Sequence, residues 1–148
     1  MTDNEIKMAE WLKRGFYAKK KLETIELLLK QCKENAEGLT RSQSFNDSGQ
    51  SDTRINTAEN KLLKLAETEQ QYTNEKNRLL KISAEISDAI SQLHNDDLEA
   101  VLIHRYLLFH TVEQTAELLN YSDGTIKRKH KKAIKKLCEQ FAEQGEKL

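Results

Sequence analysis

TVEQTAELLNYSDGTIKRKHKKAIKKL, residues 111–137, is the stretch from which the rest of the chain is read. Thr111 is followed three residues later by Gln114, a pairing in which hydroxyl and amide side chains satisfy orphan backbone N–H groups at a helix start. A helix opens there and runs to Leu119. Asn120, short, polar and tolerant of the left-handed region, suits a chain leaving a helix. Ser122 then caps a second helix, with Asp123 in its first turn, where the positive end of the helix dipole favours an acid. Two helices joined by so short a connection must cross, which predicts a helix-turn-helix.

On the second helix Ile126, His130, Ala133, Ile134, Leu137 and Phe141 recur at steps of three or four and form one apolar stripe. Between them Lys127, Arg128, Lys129, Lys131, Lys132, Lys135 and Lys136 put seven cations into ten residues. Residues 94–148 nevertheless hold nine Lys or Arg against nine Asp or Glu, so the positive field is local to this helix. A lone basic run is more often a solvated face, but the capped helix and turn before it shift the balance towards double-stranded DNA. In a helix-turn-helix the start of the second helix enters the major groove. Asp123, Thr125, Lys127 and Arg128 are then nearest the base edges, and Lys131, Lys132, Lys135 and Lys136 meet phosphates. Ser122 and Lys129 complete the candidate DNA-binding set. Arg128 is the best candidate for guanine, because its fork bonds two acceptors at once. Upstream, Leu98, Val101, Leu102, Arg105, Tyr106 and Phe109 keep helical register and supply the third helix that covers the motif's underside.

The string from Val101 to Leu137 resembles the C-terminal domain of bacterial sigma factors, which reads the upstream promoter hexamer. The likeness rests on Val101 and Leu102 leading to Arg105 and Tyr106, on Gln114, Thr115 and Ala116, and on Ala133, Ile134, Lys136 and Leu137. Thr115 and Asn120 depart from that pattern, standing where the family has isoleucine and glycine. Over nearly its full length, from the opening EWLKRGFYAKKK (10–21) through a long helix ending ISQL (90–93), the chain resembles small phage or prophage transcription regulators of the RinA/ArpU type. That resemblance implies an activator of late phage genes working beside host RNA polymerase. Without the segments with which a complete sigma factor melts promoter DNA, the expected role is accessory.

Composition agrees with an elongated helical protein. With 37% hydrophobic and 32% charged residues among 148, the chain supports one or two small domains but not one thick core. It has no proline to interrupt a helix. Cys32 and Cys138 lie on separate helical patterns without metal spacing and read as reduced core residues. His94, His104, His110 and His130 lack the paired spacing of metal sites, and there is neither a phosphate-cradling glycine loop nor a nucleophile turn. A non-enzymatic protein without cofactor or metal is expected. No apolar run is long enough to span a bilayer, and acids stand where a signal peptide would be apolar, so a cytoplasmic protein without a membrane partner is expected.

Residues 3–36 form a first long helical pattern, with Leu12, Phe16, Leu22, Ile25, Leu29 and Cys32 among its apolar positions. Residues 38–54 are polar and predict a flexible loop. A second long helix is expected from about Thr57 to Leu93, where Ala58, Leu65, Tyr72, Leu79, Ile86 and Leu93 repeat every seven residues as in a coiled coil. Leu62 and Ile90 start and end a second row whose middle, Glu69, Lys76 and Ser83, is polar. A helix of roughly 55 Å does not stand alone in water. Its partner is the first helix, folded back as an antiparallel hairpin, or the same helix of a second chain in a homodimer. The predicted fold is therefore all-α: a coiled-coil-like hairpin over 1–93 and a three-helix, sigma-like helix-turn-helix domain over 94–148.

A second basic cluster with aromatic neighbours, from Trp11 to Lys21, is either a DNA or polymerase contact or, more simply, the wet side of an amphipathic helix. Two other functions compete with a transcription regulator. One is a DNA-recognition subunit of phage packaging similar in role to a small terminase; the other is a protein-interaction module that never meets DNA.

Overall fold

The computed structural model describes residues 2–43 and 51–145, with side chains over 2–37 and 57–145. They form α1 (Asp3–Leu12), α2 (Arg14–Gln43), α3 (Ser51–Ser91), α4 (Asp96–Leu102), a π-helical turn (Ile103–Leu107), α5 (Val112–Leu119) and α6 (Asp123–Glu143), with no strand among the described residues. The fold is all-α, as the hydrophobic periodicity predicts. No helix among these residues is long and apolar enough to cross a membrane.

The pattern expected over 3–36 is two helices. Thr2 and Glu5 form a capping box that starts α1, and α1 ends at Lys13, whose backbone N–H bonds the Ala9 carbonyl. The break shifts the phase of the apolar face. Gly15 turns inward, and Phe16 is left 38% exposed instead of joining the core.

The polar stretch expected to be a loop is partly helical. Residues 38–43 end α2 and residues 51–54 begin α3, while 44–50 lie outside the described residues. Once nucleated, a helix extends through Thr, Ser, Gln or Asp at a cost of no more than about 0.7 kcal/mol each, and this stretch holds no proline to stop it.

Two compact units are present, one made of Met1–Tyr17 with Leu79–Leu148 and the other of Ala18–Arg78, whereas the sequence suggests a cut after residue 93. In the central unit Lys21 pairs with Glu75 at 3.1 Å and Cys32 Sγ lies 3.7 Å from Thr68 Oγ1. As one number rises the other falls, so α2 and α3 run antiparallel here. Of the two residues expected to start and end the second row, Ile90 is buried and Leu62 is not. Leu62 is 55% exposed, and burial falls instead on Thr68, Glu75, Ile82 and Ala89, one position earlier in each heptad. The two polar side chains among them, Thr68 and Glu75, each have a partner. Thr68 donates to the Lys64 carbonyl, and Glu75 sits between Lys21 and Arg78, chiefly Lys21, which together hold its carboxyl below the ordinary range.

In the terminal unit α1 meets α6. Trp11 of α1 stacks edge-on to Phe141 of α6 with ring centroids 5.4 Å apart, and Cys138 Sγ reaches the Asn4 carbonyl at 3.4 Å. Met8 and Leu12 are fully buried here, with Ile86, Ile90 and Leu93 from the end of α3. Gln140 and Gln144 of α6 both bond Gln92, its carbonyl and its side chain respectively, where α3 ends. Asn95 then caps α4 by accepting from the Leu98 N–H. Val101, Ala116 and Ile126 form a core cluster that draws on α4, α5 and α6, with Val112 and Leu119 packed against it. Val101 and Ile126, both fully buried, each contribute about 1.5–3 kcal/mol on burial.

The helix expected over 97–109 widens after Leu102. The Leu108 N–H bonds the Ile103 carbonyl five residues back, and Phe109 takes φ +60°. The extra residue in this turn accompanies two long reaches, Tyr106 to His130 and Arg105 to the His110 carbonyl.

Candidate nucleic-acid interface

The geometry of residues 111–125 follows from hydrogen bonds made by a few short side chains. Thr111 Oγ1 accepts from the Gln114 N–H at 3.1 Å, and the Thr111 N–H donates to Gln114 Oε1 at 2.9 Å. Asn120 stands in the left-handed region at φ +61°, ψ +44°. The Tyr121 N–H reaches back to the Ala116 carbonyl and the Asn120 N–H to the Glu117 carbonyl, the two bonds of a Schellman ending. Ser122 Oγ accepts from the Thr125 N–H and opens α6. Thr115, standing where the sigma pattern has isoleucine, is fully buried and donates to the Thr111 carbonyl.

On α6 the apolar stripe is buried: Ile126, Ala133, Ile134 and Leu137 completely, Phe141 nearly so. At 100° per residue, Lys127, Lys131, Lys135, Arg128 and Lys132 fall within an arc of about 140° on the opposite side. All five are exposed. Gly124 lies on the same arc and has no atom within 4 Å of where a Cβ would stand, and the arc continues past Lys135 to Cys138, Glu139 and Ala142. Among the described residues none of the five cations has a carboxylate partner, although Arg128 donates to Thr125 Oγ1 at 3.1 Å. Like charges three and four residues apart on a helix repel by a few tenths of a kcal/mol per pair, so this arc is mildly unfavourable until an anion meets it.

The candidate residues do not form one set. Lys127, Arg128, Lys131, Lys132 and Lys135 share the arc, with Asp123 exposed at the helix start and Lys136 half-buried at its edge. Ser122 and Thr125 are committed to the cap, their hydroxyls 2.8 Å apart. Lys129 points elsewhere. It pairs with Asp97 and stands 4.8 Å from the centre of the Tyr121 ring, while the Tyr121 hydroxyl donates to the same carboxylate. Lys129 and Tyr121 together hold the Asp97 carboxyl below its ordinary range. This trio ties the start of α4 to the turn and to α6. The sequence did not reveal the link of Asp97 and Tyr121 to Lys129, since an acid and a tyrosine twenty-four residues apart make no pattern.

Beneath α6, the Tyr106 hydroxyl bonds His130 Nε2. Burial, reinforced by the charges of Arg105 and Lys13, brings the His130 imidazole down to about 4, so it is neutral at physiological pH. Burial likewise pushes Tyr106 up to about 12. His104 and His110 meet Nδ1 to Nδ1 at 3.0 Å, and burial, then His110, lowers His104.

The basic-aromatic cluster near the N-terminus is largely paired. Lys13 meets Glu10, Arg14 meets Glu85 and lies over the Trp11 ring, Lys19 meets Glu23, and Lys21 meets Glu75. Those carboxylates set it apart from the α6 arc. Comparison of the chain with protein-family models, with curated proteins and with solved structures finds no match in any of the three.

Proposed function

We propose that the chain is a sequence-specific double-stranded-DNA-binding transcription regulator that reads its site with α6. The observation that carries this is the arc of five exposed cations free of carboxylate partners, on a helix whose opposite stripe is buried and whose start is set by two caps. A phosphate-lined groove supplies the counter-charge this arc lacks, and a helix held so firmly presents its side chains without paying much ordering entropy. Arg128 reads a base edge near the helix start; Lys131, Lys132 and Lys135 neutralise phosphates. Lys129 is a positioning residue that orients α6 through Asp97 and Tyr121.

The sigma-like pattern of residues 101–137 supports a site of action at promoters beside host RNA polymerase, as an activator. The fuller resemblance supports a phage or prophage setting. A homodimer through the long helices would supply two reading heads, and Leu27, Leu62 and Leu63 of the central unit are each more than half exposed, as side chains awaiting a second chain would be. The competing packaging role requires a ring of many subunits, so sedimentation giving a monomer or dimer favours transcription.

Selection of bound sites from random duplex DNA by the full chain tests the proposal. A defined motif is expected. On that motif Arg128→Ala is expected to weaken specific over non-specific binding by about 1–3 kcal/mol, whereas Lys135→Ala weakens both alike. Recovery of no DNA at all sinks the proposal and leaves the protein-interaction module.

A further inference from the structure

The terminal unit holds a cavity of about 300 Å³ between the α1–α2 junction and the turn that leads into α5. Its chemistry is one-sided. Lys13 and Arg105 line it together with Phe16, Tyr17, Phe109 and His110, and no carboxylate does. Arg105 spends one N–H on the His110 carbonyl at 2.7 Å, and a guanidinium carries five. Lys13 holds Glu10 at 3.5 Å across an exposed helix turn, a contact of little strength and easily exchanged. The field of both cations reaches His130, which they help to keep neutral. At the cavity, Tyr17 is 53% and Phe16 38% exposed, with their rings 6.0 Å apart and edge to face. Large rings left wet beside two cations make a surface for a flat ligand that carries negative charge.

We propose that this cavity binds a small aromatic anion, one ring system bearing a carboxylate or a phosphate, with the ring against Phe16, Tyr17 and Phe109 and the anionic group on Lys13 and Arg105. Its volume lies at the lower end of ligand pockets, about 300–1,000 Å³, which fits a single ring system and excludes a longer chain. The α5 start does not supply the anion site, because the Thr111 N–H already donates to Gln114. The site is separate from the α6 arc and does not depend on DNA binding.

The test is an NMR titration of the full chain with 2-naphthoate and with AMP, beside 2-naphthylmethanol and inorganic phosphate as probes that each lack one half. The expected result is saturable shifts confined to residues 13–17 and 105–111 with 2-naphthoate, AMP or both, and much weaker binding of the two half-probes. Which anion binds more tightly distinguishes an aryl carboxylate from a nucleotide source. Lys13→Gln, at a half-buried position, is expected to weaken binding roughly tenfold, as loss of one charge-assisted hydrogen bond does. Lys131→Gln is expected to leave it unchanged. Shifts centred on residues 124–136, equal binding of inorganic phosphate, no effect of Lys13→Gln, or no binding of either anion would each overturn the proposal.

Discussion

Acidification is expected to weaken the terminal unit through His130 before its carboxylates begin to titrate. In the folded chain burial and the nearby Arg105 and Lys13 hold this imidazole at about 4, while the unfolded chain returns it to the ordinary 6.5. The unfolded state therefore binds the proton first. Stability is complete above the unfolded value and is lost as pH falls from there towards the folded one. Between about pH 7.5 and pH 5 the loss comes to about 2 kcal/mol for this one group. Denaturant melts followed by the fluorescence of Trp11, which packs on Phe141 in the same unit, measure it. His104 is lowered too and adds a slope of the same sign, so the informative quantity is the difference between the native chain and His130→Gln. Glutamine can bond the Tyr106 hydroxyl in either direction and cannot titrate. The variant is expected to lose about 2 kcal/mol less than the native chain over that interval. Equal pH slopes in the two proteins would refute the placement of His130 as a buried neutral imidazole.

Ile126→Ala is expected to cost about 2–5 kcal/mol, because a fully buried side chain at the meeting of α4, α5 and α6 leaves a cavity there; thermal denaturation checks it, and a loss below about 1 kcal/mol would place Ile126 outside the core. Asp97→Ala and Lys129→Ala should each lower the melting temperature and weaken DNA binding, and the double variant should do little more than either alone; additive losses would show that the two do not act as a pair. Gly15→Ala is expected to stabilise by about 0.5–1 kcal/mol, since its methyl would meet Ile86, Phe109 and the Tyr106 carbonyl at an ordinary 3.6 Å; destabilisation would mean that the α1–α2 junction is tighter than drawn.

What could be read in advance was local. The Thr111–Gln114 box, the left-handed Asn120, the Ser122 cap and the α6 stripe each depend on side chains within four residues of one another, so the sequence contains the whole interaction. The long-range choices were not legible. Heptad spacing along α3 is compatible with a second row three or four residues on, and the apolar residues at Leu62 and Ile90 favoured the wrong one at Leu62. Which row faces inward is decided by partners on α2, Cys32 against Thr68 and Lys21 against Glu75. The break at Lys13 has no glycine or proline at its own position to announce it. Among the candidate residues Lys129 looked like its neighbours, and only the approach of Asp97 and Tyr121 sets it apart from the exposed cations of the arc.

The salt dependence of binding to random-sequence duplex DNA tests the central claim most directly, because it needs no knowledge of the target site. Lys131, Lys132 and Lys135 meeting phosphates predict a slope of log affinity against log salt of about −3, and each substitution of Lys131 or Lys135 by glutamine is expected to reduce its magnitude by about 1. A slope near zero, or one that those substitutions leave unchanged, would contradict DNA recognition by the exposed arc of α6.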